Sequence, residues 1–152
     1  MQTEIKNEWI YEQLPNKVWE YLTQGDLIAL WLMPNNFKPI HGYEFQFRVK
    51  PIQSLDLDGI FYCEVLEIVP FQKLIYSWKG GSGNGVFTLD TVVEWTLEKY
   101  GNGTKLFLKQ SGFKEANLSI FTAMTNGWQT NIQKMITHLN ATYNDSADTK
   151  RN

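Results

Sequence analysis

Tyr43-Glu44-Phe45-Gln46-Phe47-Arg48-Val49 places an apolar or aromatic side chain at every second position. Successive side chains of a strand point to opposite faces, so this order describes a sheet with one face wet and one covered. The same beat returns at Val93, Trp95 and Leu97 against Glu94, Thr96 and Glu98, and at Leu106 and Leu108 against Lys105 and Lys109. Strands are predicted over about 43–49, 59–69, 73–79, 89–99 and 104–112. The links Pro70-Phe71-Gln72-Lys73 and Gly101-Asn102-Gly103 are too short for a parallel crossover, so they join antiparallel neighbours. Strand 59–69 carries apolar residues on both faces, and its inner set stays open. Only one later segment is long enough to cover such a sheet. Across 118–143, Phe121, Met124, Trp128, Ile132, Met135, Leu139 and Tyr143 recur at three- and four-residue steps, an apolar stripe along ~39 Å of helix.

Ahead of the sheet, Ile5, Asn7, Trp9 and Tyr11 share one side of an opening strand, with Lys6, Glu8 and Glu12 on the other. Pro15 suits the first turn of a helix, where its missing N–H is no loss. Val18, Trp19 and Leu22 give that helix one apolar face. Thr23 to Asp26 supplies capping and a glycine break before a second short helix carrying Leu27, Leu30 and Trp31, which Pro34 and Asn35-Asn36 end. The architecture is α+β: a curved antiparallel sheet wrapped on a long C-terminal helix, with two short helices after the first strand. Residues 1–143 form one domain and 144–152 a loose polar tail.

At 152 residues the chain can bury ~70% of its unfolded surface. Aromatics are 14% of it, with six Trp, and most must go inside or line something. Lys and Arg number 14 against 16 Asp and Glu, and neither sign forms a run, which argues against phosphate-neutralising nucleic-acid binding. Cys63 is the single cysteine, so neither an intrachain disulfide nor a paired-cysteine zinc site is available, and no metal or cofactor is expected. The start Met1-Gln2-Thr3-Glu4 lacks a basic-then-apolar leader, and no apolar run approaches the ~20 residues of a membrane span. A cytoplasmic location is therefore expected. Nothing in the composition bears on oligomeric state.

The run Pro15-Asn16-Lys17-Val18-Trp19-Glu20-Tyr21-Leu22-Thr23, followed by Trp31, resembles the opening of the activator-of-heat-shock-protein-90-ATPase homologue family. Gly42-Tyr43-Glu44-Phe45-Gln46-Phe47, Leu74-Ile75-Tyr76-Ser77-Trp78, Gly103-Thr104-Lys105-Leu106, Ser111-Gly112-Phe113 and Gly127-Trp128 follow in the family's order. The family belongs to the START-like (SRPBCC) superfamily. The resemblance implies a helix-grip fold with a hydrophobic cavity between sheet and C-terminal helix. It implies three functions: binding a small hydrophobic, aromatic or lipid-like molecule; a protein-interaction module tied to chaperone (heat-shock protein 90) regulation and stress response; and, more weakly, a cyclase or hydrolase using a cavity acid.

For the first, the lining is expected from Tyr43, Phe45, Phe47, Trp78, Trp95, Leu106, Leu108, Phe121, Trp128, Ile132 and Met135. Gln110 shares the inward phase of Leu108, and its buried amide must bond a neighbour or meet a ligand. Gly127 costs the long helix ~1 kcal/mol relative to Ala. Close approach of the Trp31 turn, or room at a pocket mouth, would explain it. Gly80-Gly81-Ser82-Gly83-Asn84-Gly85 lacks the Gly-Lys-Ser/Thr ending of a phosphate loop and precedes a strand, so it reads as a flexible rim loop or lid. His41, His138, Ser77 and Ser111 have no evident catalytic partner. Cys63 is expected to be a buried thiol and a poor nucleophile. Glu64 and Glu67, three apart, should lie on opposite faces, leaving one of them as a lone acid toward the cavity.

Overall fold

The computed structural model describes residues 3–144. Six strands, β1 (Glu4–Tyr11), β2 (Glu44–Arg48), β3 (Ile60–Val69), β4 (Lys73–Gly80), β5 (Leu89–Tyr100) and β6 (Gly103–Ser111), form one sheet in the order β1-β6-β5-β4-β3-β2. Every neighbouring pair is antiparallel. Helices α1 (Pro15–Thr23) and α2 (Gly25–Trp31) follow β1, and α3 (Leu118–Leu139) closes the chain as a 22-residue helix, about 33 Å long. This is the α+β helix-grip arrangement expected from the strand pattern.

The sheet turns one face to the helices because its alternation is nearly unbroken. Phe45 and Phe47 of β2, Leu74, Tyr76 and Trp78 of β4, Val93, Trp95 and Leu97 of β5, and Leu106 and Leu108 of β6 are all buried. From α3, Trp128, Ile132, Met135 and Leu139 meet them, while α1 and α2 add Val18, Leu22, Ile28 and Trp31. The tryptophans interlock edge to face: Trp31 on Trp95 at 5.9 Å, Trp95 on Trp128 at 5.4 Å and Trp128 on Trp78 at 5.8 Å.

Several local expectations change. On β3 the inward set is Phe61, Cys63 and Val65, and a register shift between Val65 and Glu67 then inserts an extra residue. That bulge cancels the parity argument, so Glu64 and Glu67 both face outward. Thr23 does not cap α2: its hydroxyl donates back to the Trp19 carbonyl at 2.7 Å, and Gln24 stands at the N-cap without a side-chain bond. The glycine-rich stretch at the end of β4 is hydrogen-bonded both to a neighbouring connection and within itself. Asp58 N–H bonds the Gly81 carbonyl at 2.8 Å, and Val86 N–H bonds that of Gly83 at 3.1 Å, tying the hairpin to the β2–β3 connection. The regular helix stops at Leu139, and Asn140–Asn144 form a π turn. There Asn140 accepts from Gln13 Nε2 at 2.9 Å, so the helix end follows a tertiary bond rather than the apolar stripe. The tail expected over 144–152 lies, beyond Asn144, outside the described residues.

Candidate functional site

Where α3 crosses the β3–β4 side of the sheet, side chains leave a cavity of about 310 Å³. Leu32 and Met33 come from the end of α2, Phe61 from β3 and Trp78 from β4. Helix α3 contributes Ile120, Ala123, Met124, Gly127, Trp128 and Asn131, positions three and four apart that share one face. The remaining wall, Val49, Ile52, Leu55 and Leu57, belongs to the β2–β3 connection, which includes a single 3-10 turn at Gln53–Leu55. Gly59 closes that connection onto β2. Its φ is +89°, and a Cβ there would fall 2.2 Å from the Val49 carbonyl oxygen, so only glycine lets the two backbones meet. Val49 N–H bonds the Gly59 carbonyl at 2.8 Å.

Among the described residues the lining carries no charged side chain, and Asn131 supplies its one side-chain amide. Trp128 is held from behind. Its indole N–H donates to Gln110 Oε1 at 2.9 Å, Gln110 Nε2 donates to Thr91 Oγ1 at 3.0 Å, and Thr91 Oγ1 donates to the Trp78 carbonyl at 2.9 Å. Gln110, fully buried, thus bonds its neighbours on both sides. Trp31 donates to the Tyr21 carbonyl at 2.8 Å and Trp95 to Tyr76 Oη at 3.0 Å. Trp78 differs: its indole N–H is buried and meets no partner among the described residues. A buried donor left without an acceptor costs about 1–3 kcal/mol.

Of the residues expected to line a cavity, Trp78 and Trp128 do so. Phe45, Phe47, Trp95, Leu106, Leu108, Gln110, Ile132 and Met135 are packed into the core alongside. Tyr43 is half-buried at the start of β2, with Lys38 Nζ 5.8 Å from its ring centroid. Phe121, also half-buried, packs edge-on against Phe113 at 5.0 Å, away from the cavity. Gly127 meets nothing within 4 Å of where a Cβ would stand, so no close approach by the Trp31 turn explains it; it borders open cavity. The β2–β3 connection escaped the sequence reading. Its signal was there in Ile52, Leu55 and Leu57, apolar residues in a link that has to cover something.

Among the described residues no acid lines the cavity. Glu67 lies on the outer face, 3.6 Å from Lys73, and the Glu64 backbone N–H bonds Ser77 Oγ at 2.9 Å on the same side. The cavity acid needed by a cyclase or hydrolase reading is therefore absent from the lining. Cys63 is buried, and burial pushes its thiol well up from the ordinary value, away from thiolate chemistry. Among the described residues no group of three or more His, Cys, Asp or Glu gathers as a metal site, and no helix is long and apolar enough to cross a membrane. Other grooves lie on the outer face, and the one bordered by Glu44, Glu64 and Lys79 is lined mainly by polar groups.

Fold and cavity together define a START-like helix-grip protein. The family described as Activator of Hsp90 ATPase homolog 1-like protein matches residues 14–140, and the chain belongs to that family. Protein MLL2253 from Mesorhizobium loti is 32% identical, with a TM-score of 0.82 over 91% of this chain and 98% of that one. The Aha1 dimer from Colwellia psychrerythraea is similar at 18% identity and a TM-score of 0.73, covering 91% of this chain and 96% of that one. CalU16 from Micromonospora echinospora is similar at 20% identity and a TM-score of 0.68, covering 90% and 73%. The last two likenesses are of fold alone. No curated protein matches the chain.

Proposed function

We propose that this single domain binds, without transforming it, a small, uncharged and largely apolar molecule in the cavity between β3, β4 and α3. The observation that carries this reading is the apolar lining around Trp78, whose indole N–H lacks a partner among the described residues. The volume of about 310 Å³ sits at the small end of the ~300–1,000 Å³ usual for ligand sites. A carboxylate entering such a lining would lose its hydration with no cation to replace it, which disfavours fatty acids relative to neutral aromatic molecules. An acceptor oxygen on the ligand, placed at the Trp78 edge, would relieve the orphaned donor, while Asn131 offers a second polar contact.

The test is a fluorescence titration with flavone and 1-naphthol against decanoate. Trp78 and Trp128 both wall the cavity, so a neutral ligand should change indole emission saturably, and decanoate should not. Gly127→Phe, which projects a ring into the cavity, should remove the response. Absence of saturable binding by both neutral probes, or equal binding by Gly127→Phe, would count against the proposal. The result would then favour the interaction-module reading that the family's description suggests. Exposed apolar residues such as Ile40, Phe71, Phe87 and Leu118 are spread over separate elements, which supports a chaperone-facing surface less directly than the cavity supports a ligand.

A further inference from the structure

The two edges of the sheet are finished differently. Along β2 the segment 34–36 lies against the outer edge: Arg48 N–H bonds the Pro34 carbonyl at 3.0 Å and Gln46 N–H bonds Asn36 Oδ1 at 2.7 Å. Asn35 also forms a bridge with Phe47. The opposite edge, β1, pairs with β6 on one side and, among the described residues, with no strand on the other. The Thr3 carbonyl accepts from Phe113 N–H at 3.3 Å, beyond the end of β6, which sets the phase of the whole strand. Thr3, Ile5, Asn7, Trp9 and Tyr11 turn their backbone groups toward β6. Glu4, Lys6, Glu8 and Ile10 turn theirs outward, where an uncovered edge is a template for another strand. No proline or bulge interrupts it. A groove of about 360 Å³ runs along Thr3–Asn7, walled by Phe121 and Thr125 of α3.

From this we infer that β1 is a homodimer interface, pairing antiparallel with β1 of a second copy about a twofold axis at Asn7. The charge order is what selects this occupant. In that register Lys6 stands opposite the partner's Glu8, and Glu8 opposite the partner's Lys6, both on the outer face where each is exposed. On the inner face Ile5 stands opposite the partner's Trp9, which is half-buried in the single chain. A slip of the axis to Lys6 sets lysine against lysine, and a slip to Glu8 sets glutamate against glutamate. Both one-residue slips are disfavoured, and an axis at Ile5, which would set Glu4 opposite the partner's Lys6, pairs fewer residues of β1. The outward-turned backbone groups of Lys6 and Glu8 then face one another as a hydrogen-bonded pair, and the two sheets become continuous.

Sedimentation equilibrium of the full chain tests this, with wild type followed up to ~100 μM. Wild type should be dimeric in that range. Lys6→Glu and Glu8→Lys each oppose like charges twice across the axis and should weaken the dimer about tenfold or more. The double variant Lys6→Glu/Glu8→Lys restores opposite charges and should return the dimer toward wild type. Both side chains are exposed, so circular dichroism and melting temperature should match wild type for every variant. Wild type that stays monomeric throughout would leave the edge to a strand from another protein and overturn the inference. A dimer indifferent to both single substitutions would overturn it too, placing the interface elsewhere.

Discussion

Trp128 donates its indole N–H to the side-chain oxygen of Gln110 at 2.9 Å, and the same amide passes the connection on to Thr91. One buried glutamine therefore fixes a tryptophan that walls the cavity, joining α3 to β6 and β5. Because Gln110 is fully buried, this bond has no water to replace it.

Gln110→Leu keeps the volume but strands the Trp128 donor, and it should cost about 1–3 kcal/mol in denaturant titration. Trp128→Ala removes a buried indole packed against Trp78 and Trp95 and should cost ~3–5 kcal/mol. A loss below about 1 kcal/mol for Trp128→Ala would mean that α3 does not depend on this side chain for its seat on the sheet.

Gly127 gives the opposite sign. A methyl group there meets nothing within 4 Å, and alanine is the better helix former. Gly127→Ala should raise stability by about 0.5–1 kcal/mol. Thermal melts that instead fall would place a neighbour where the structure has open space.

Cys63 lies under the sheet with its sulfur 3.9 Å from the Phe61 carbonyl oxygen. A thiol reagent should label it slowly in the native protein and fast after denaturation, since reaction needs an accessible thiolate. Rapid native labelling would put the thiol at an accessible surface.

Alkaline pH should weaken the fold. Burial pushes the pKa of Tyr11, Cys63 and Tyr76 up; for Tyr76 the bond from Trp95 lowers it in part and Cys63 adds a smaller rise. The folded state holds these protons while the unfolded chain loses them, near ~8.5 for the thiol and ~10 for the phenols. Stability conferred below those values is therefore lost as pH rises, at up to about 1.4 kcal/mol per pH unit for each group. Urea midpoints measured from pH 7 upward should start to fall above pH ~8.5. Midpoints flat to pH ~11 would mean that the thiol and the phenols ionise as freely in the native state as in the unfolded chain.

Sheet and closing helix were legible in the residues themselves. Phe45 and Phe47, Val93 and Trp95, Leu106 and Leu108 repeat at the period of a strand, while Trp128, Ile132, Met135 and Leu139 repeat at that of a helix. Such periods arise locally, from how one backbone projects its side chains. The cavity is not a local property. Alternation says which face Phe47 and Trp78 share, but not the level at which α3 crosses them. That level decides that Trp78 borders space while Trp95 is packed shut. The β3 bulge likewise lies outside any parity rule, because one inserted residue reverses every face beyond it, Glu67 included. The wall formed by Ile52, Leu55 and Leu57 depends on where the β2–β3 connection folds back, set by contacts distant in sequence. Period along the chain determined the shape of the container; only the packing of separate elements decided where it was left empty.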